Sequence, residues 1–391
     1  MVDVSPPVSR IALQIDTSTG FSTQLIRGIA DYMQEHQRWE LLVQTRGTRE
    51  RWRIPRHWKP DGVIARITQR AQARELQKLG VPVVNVSRST VSGYDFPQVT
   101  IDDRQLGLWA ADHFLERGLR HFGYFGLLTQ SCYVDRCGPA FHERLAEQGF
   151  ACSNFGAYSA GGRAQAEPTI AAVRQWVCSL PAPLGIFVSG IDDAHMLNDA
   201  CWSSNRHVPE SVAILCGEDD PLLSTISNPS LSCIDPDPHR VGYEAAAALD
   251  LLLKGQALAS PVQRVPPARV VARRSTETVA FEDSDLAKAL RFIRDSATLP
   301  IDVSDVLQNV PVSRRVLEQR FARALGRSPA AEIRRVRLER AKSLLMETDW
   351  KMPRVAEASG FSSNEVMSQV FRRELECTPT EYRDTSRRVV R

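Results

Sequence analysis

Short apolar runs alternate along the first two thirds of the chain with stretches whose apolar positions recur every three or four residues. Residues 11–15, 41–43, 61–65, 81–86, 121–126, 185–188 and 212–215 are compact, β-branched or aromatic runs and read as strands. Between them, residues 25–33, 73–79, 104–117, 139–148, 170–178, 193–203 and 243–253 carry the helical period. Alternation of this kind predicts βαβ units on parallel sheets covered on both faces. The run is too long for one comfortable sheet, so two α/β lobes with a cleft between them are expected. In such sheets ligands sit beyond the carboxyl ends of the strands.

Residues 260–274 break the pattern with a segment rich in Pro and Arg, where Pro261, Pro266 and Pro267 forbid helix. Past Glu277 the texture is helical almost throughout, over 286–296, 303–309, 314–325, 329–347, 352–359 and 365–375. This divides the chain into a domain at 1–275 and an all-helical one at 276–391.

Two parts of the tail share one design. At 303–321 a short helix stops at Pro311, and Ser313 is placed to cap a second helix whose Leu317 and Phe321 face inward. At 352–373 Gly360 supplies the turn, Ser362 or Ser363 the cap, and Val370 and Phe371 the packing. Each is a helix-turn-helix pattern, whose second helix presents its first turns to base edges in the major groove of double-stranded DNA. The residues assigned to DNA are Arg314, Arg315, Glu318, Gln319 and Arg320 in the first unit. Asn364, Glu365, Ser368 and Gln369 fill that role in the second.

Charge sharpens this picture. The 391 residues have a formal net charge of only +3. Counted separately, the front is neutral, with 28 basic and 28 acidic side chains, and the tail holds 21 against 18. Between Arg314 and Lys342 ten basic residues stand against three acidic ones, the footprint expected of phosphate contact. The composition, 43% hydrophobic and 24% charged, is that of a globular chain. No uncharged apolar run is long enough to span a bilayer, and the amino terminus lacks a secretory signal. The eight cysteines form no CxxC pair and no zinc-spaced cluster with His, so they are expected reduced, in a cytoplasmic protein without metal or cofactor.

The block 313–345, followed by 355–383, resembles the DNA-binding domain of AraC/XylS-type transcription regulators. Phe371, Thr378, Pro379, Tyr382 and Arg383 match that family's closing pattern. Met367 stands where an aromatic is usual and Glu376 where glycine is usual, departures expected to affect packing and turn geometry. The front resembles the periplasmic-binding-protein-like ligand domain of LacI-type repressors, through Thr100 to Asp103, Gly107 and the stretch 208–220. That resemblance implies a sugar ligand, D-xylose among the pentoses. It also implies a homodimer, regulation of carbohydrate-utilisation genes and, for an activator, contact with RNA polymerase. It carries a sugar-clamping role to Arg136, a polar contact and an aromatic wall to Asp16 and Phe21, and hydroxyl-accepting carboxylates to Glu218 and Asp219. At Gly190 to His195 the family's amide and two guanidiniums are missing, and Asp192 is the residue assigned to the ligand there.

Two other classes stay open: a DNA-binding regulator whose sugar ligand is altered or lost, and an α/β enzyme. No GxGxxG, GxxxxGK[ST], GxSxG or HExxH stands in the chain, which argues against catalysis. Asp102-Asp103, Asp192-Asp193 and Glu218-Asp219-Asp220 lack the His or Cys companions of a metal or acid/base site and read as strand-end and capping residues. His195 and His239 read as surface or capping residues.

Overall fold

The computed structural model describes residues 8–36, 39–44, 54–55, 57–126, 135–155, 169–277 and 284–383, so the amino-terminal segment, Cys132 and Val134 lie outside them. The chain forms two compact units, Met1–Glu277 and Thr278–Arg391.

The first unit opens with β1 (Ser9–Gln14), α1 (Gly20–Glu35), β2 (Trp39–Val43), β3 (Gly62–Ala65), α2 (Arg70–Gln77), β4 (Val83–Asn85) and β5 (Gln98–Ile101). It continues through α3 (Asp103–Leu115), β6 (His121–Phe125), α4 (Cys137–Glu147), β7 (Cys152–Phe155), α5 (Ile170–Ser179), β8 (Leu184–Val188), α6 (Ile191–Ser203), β9 (Val212–Cys216), α7 (Pro221–Ile226) and β10 (Ser232–Asp235). It closes with α8 (Pro238–Leu253), β11 (Val262–Val265) and β12 (Arg269–Val271). Two six-stranded sheets result, in the orders β11-β5-β4-β3-β1-β2 and β12-β10-β9-β8-β6-β7. All pairings are parallel except β12 against β10.

Each sheet is the heart of one lobe, and the chain passes between them after β5, after β10 and after β11. The Asp102 N–H donates to the Val265 carbonyl at 2.8 Å and the Ala268 N–H to the Asp235 carbonyl at 2.9 Å, binding the crossing strands side by side. Helix α8 returns from the second lobe to pack on α1, and the two backbones touch there. A Cβ at Gly28 would collide with the His239 carbonyl, and one at Gly242 with the Leu25 carbonyl.

The Pro-rich segment is not a plain linker. It carries β11 and β12, edge strands of both sheets, where proline is tolerated because one side of the ladder is free. A 3₁₀ turn at Arg274–Thr276 ends the unit. Ser275 and Thr276 are fully buried there. The Ser275 hydroxyl donates to the Ile214 carbonyl at 2.6 Å, and the Thr276 hydroxyl lies 2.7 Å from Ser232 Oγ and 2.9 Å from His113 Nε2.

The second unit holds α9 (Ser284–Ser296), α10 (Val303–Gln308), α11 (Arg314–Leu325), α12 (Pro329–Glu347), α13 (Met352–Ala358) and α14 (Asn364–Leu375). Side-chain caps from Asp302, Ser313, Ser328 and Ser363 start four of them, each satisfying orphan N–H groups. Two cores form. Leu286, Leu290, Val306, Leu317 and Phe321 gather around Ile333; Val355, Met367, Val370 and Phe371 gather around Leu338, Ala341 and Leu345. Ile333 and the second trio all belong to α12, so this one helix is the wall of both. No helix among the described residues is long and apolar enough to cross a membrane.

Candidate functional site

The strand ends of the first unit bring charge to the gap between the lobes. Asp16, past β1, is buried; its Oδ2 accepts from Arg66 Nη1 at 3.1 Å and its Oδ1 from Ser22 Oγ at 3.1 Å. Arg66, past β3, lies 5.9 Å over the half-buried ring of Phe21. Arg88, past β4, pairs with Asp103 at 2.7 Å. Burial raises the Asp103 carboxyl, and Arg88 pulls it back only in part.

From the second lobe, Glu218 follows β9. Burial pushes its carboxyl up, while Arg66 and Arg88 of the first lobe draw it down, as does a bond from the Ile191 N–H. Asp192 is exposed in the first turn of α6; beside it, burial and the Asp192 charge push Asp193 up to about 6. Ser189, 3% exposed just past β8, holds a hydroxyl with no hydrogen-bond partner among the described residues. The lobes approach closely here: a side chain at Gly20 would run into the Asp220 carboxylate.

The expected ligand residues therefore part company. Asp16, Phe21 and Glu218 gather around Arg66, and Asp192 stands near Glu218. Arg136 is exposed and lines a cavity of about 470 Å³ with Arg88, Gln98, Thr100, Asp103 and Asp135. Asp219 faces elsewhere, held by Arg273 through bonds of 3.0 and 3.3 Å.

In the second unit, Ser313-x-x-Val316-Leu317-x-Gln319-x-Phe321 is matched by Ser363-x-x-Val366-Met367-x-Gln369-x-Phe371. Leu317, Phe321, Met367 and Phe371 are fully buried. Arg314, Arg315, Glu318 and Gln319 are exposed on α11, and Glu365, Val366, Gln369 and Arg372 on α14. Asn364 and Ser368 are half-buried. Arg320 turns inward to Asp285 of α9 at 3.1 Å.

The basic run 314–342 divides in the same way. Glu332, 1% exposed, holds both Arg327 and Arg335. Burial alone would raise its carboxyl, but the Arg335 bond and the charges of Arg335, Arg327 and Arg294 leave it lowered. Arg337 donates to the carbonyls of Ala297, Leu299 and Ile301, and Lys342 pairs with Glu339. Arg315, Arg323, Arg334 and Arg340 remain exposed without an ion pair among the described residues.

Three family descriptions match in succession: an XylR N-terminal domain at 10–102, a periplasmic binding protein-like domain at 111–276 and a helix-turn-helix domain at 307–385. The Xylose operon regulatory protein of Escherichia coli (strain K12) is 29% identical over 97% of this chain and 98% of its own. That of Haemophilus influenzae is 28% identical over 96% and 98%. A solved structure titled as a xylose-binding transcription activator superposes with a TM-score of 0.65, at 27% identity over 97% of this chain and 98% of its own. The chain is a helix-turn-helix transcription regulator.

Sequence reasoning missed two residues of the regulator's cleft, Arg66 and Arg88. The signal was present, since each lies just past an apolar strand, where ligands of α/β sheets bind. The regulator also explains its two departures in the tail. Met367 fills the core with an unbranched thioether, and Glu376 sits at φ 56°, the left-handed conformation for which glycine is the usual choice.

Proposed function

We propose that this regulator is a sugar-responsive activator of carbohydrate-utilisation genes, with a pentose such as D-xylose as its ligand. Residues 1–275 are the sensor and 276–391 read double-stranded operator DNA, in a cytoplasmic homodimer that contacts RNA polymerase. The reading is carried by one observation: Arg66 and Arg88 of one lobe stand close enough to Glu218 of the other to draw its carboxyl down, where Gly20 of the first lobe also meets Asp220 of the second. Paired sugar hydroxyls suit both, since an arginine fork donates and a carboxylate accepts. In this scheme Arg66, Arg88, Glu218 and Asp192 take the ligand, Phe21 backs it, Asp16 orients Arg66, and Ser189 offers a further hydroxyl. A ligand bridging the lobes favours one arrangement of them by its difference in affinity, and that difference is the signal. The homodimer draws support from the second lobe, where Trp202, Leu222 and Ile226 are 83%, 67% and 66% exposed on α6 and α7.

A second reading keeps the DNA function and changes the ligand. Asp192, Asp193 and Glu218 give the second lobe an acidic wall, and no arginine stands from Gly190 to His195. Thermal unfolding of the full chain against pentoses and hexoses tests both. Ligand at a hundredfold excess over its Kd adds about 2.7 kcal/mol, with D-xylose expected to give the largest rise. A larger rise with another sugar establishes the second reading, and no rise with any sugar defeats the sensor. Arg66→Ala is expected to abolish the rise and leave operator binding intact.

A further inference from the structure

On α14, Val366 is 39% exposed although Met367, Val370 and Phe371 of the same helix are buried. A lone exposed valine is ordinary on a protein surface. Its position is what matters, because Val366 stands in the first turn of the second recognition helix, next to Glu365 and one turn from Gln369, both exposed. That is the part of such a helix that meets base edges. Val316, its counterpart on α11, is half-buried, and its outward neighbours are Arg315 and Gln319. The same scaffold thus presents guanidiniums, a carboxylate and an amide in one unit, and a carboxylate, two methyl groups and an amide in the other.

Base edges sort these groups by chemistry. Arginine donates to the two acceptors of guanine, glutamine pairs with adenine, a carboxylate accepts from the cytosine amino group, and an apolar side chain meets the 5-methyl of thymine. Resting on the assignment of this tail to DNA reading, we infer that Val366 is a specificity-determining residue that recognises a thymine methyl group. The operator is then uneven: guanine under the first recognition helix, and thymine beside cytosine or adenine under the second.

The test uses the full chain and operators enriched from random duplex DNA. Each thymine of the half bound by α14 is replaced in turn by deoxyuridine, which pairs identically and lacks the methyl group. One replacement is expected to weaken binding about fourfold, the worth of a buried methyl-sized group. Val366→Ala should equalise the thymine and uracil duplexes, and Val366→Thr, which keeps one methyl, should fall between. Equal binding of both duplexes by the unmodified chain, or a preference that survives in V366A, overturns the inference and leaves DNA reading intact. Enrichment of no sequence at all overturns DNA reading and this inference with it.

Discussion

In both helix-turn-helix units a serine caps the second helix, a buried Leu or Met seats it with a Phe one turn on, and a left-handed residue ends it. Both expose a glutamate, a glutamine and arginines, but their first turns differ in kind: Arg314 and Arg315 stand outside on α11, Glu365 and Val366 on α14. The support differs as well. The first unit is flanked by Glu332 and its two arginines, whereas the second leans on Trp350, with Arg354 stacked 4.0 Å over its ring and Arg383 bonded to its carbonyl at 2.6 Å. Positions that build the helix pair are held in common, and the solvent-facing positions of the first turn have parted. Specificity can therefore change in one unit without loss of packing in the other.

The common scaffold is tested most severely by emptying its cores. Phe321→Ala and Phe371→Ala should each cost about 3–5 kcal/mol in denaturant unfolding. Costs that differ by much more than about 2 kcal/mol would break the equivalence of the two units. Next in size, Glu332→Ala should cost about 2–4 kcal/mol, below the full value of a buried pair because both guanidiniums are about one-third exposed. The sign with pH follows from its lowered carboxyl. Its stabilisation is complete above the ordinary glutamate value and is lost as pH falls through the lower folded one. Unfolding of E332Q across that acid range should lack this loss.

The outer faces come third. Arg315→Ala should cost about 1–3 kcal/mol and relax preference at one base pair. Glu365→Ala should relax preference in the other half while strengthening sequence-independent binding, because it removes a negative charge from a surface that approaches the polyanionic duplex. Equal effects of the two on the salt dependence would erase the contrast drawn between α11 and α14. Smallest is the exchange of helix ends. Glu376→Gly should stabilise by about 0.5–1 kcal/mol and Gly326→Ala should cost about 1 kcal/mol, since both positions are left-handed.

Much of this architecture is legible in the chain because local chemistry punctuates it. Ser313 and Gly326 bracket α11, and Ser328-Pro329 opens α12, so the periodicity and the structure agree there to the residue. Short strands are another matter. Cys152–Phe155, Ser232–Asp235 and the two strands of the Pro-rich segment have no distinctive apolar run, and pairing with a neighbouring strand makes them. The cleft shows the same limit. Nothing local announces that Asp219, expected to accept ligand hydroxyls, also accepts from Arg273, 54 residues away. The basic run likewise overstates what is free for DNA, because Glu332, Asp285 and three backbone carbonyls occupy part of it.

The buried turn at Ser275 and Thr276 carries a mechanical meaning. Its bonds go to Ile214, Ser230, Ser232, His113 and Arg117, on or beside the second sheet. The point at which the chain leaves the first unit is thus bolted to one of its two lobes. In the proposed sensing scheme, a turn of one lobe against the other carries that anchor with the second. The bonds of Ser275 and Thr276 thus tie the exit to the second lobe, and the first lobe is joined to that one by the three crossings of the chain.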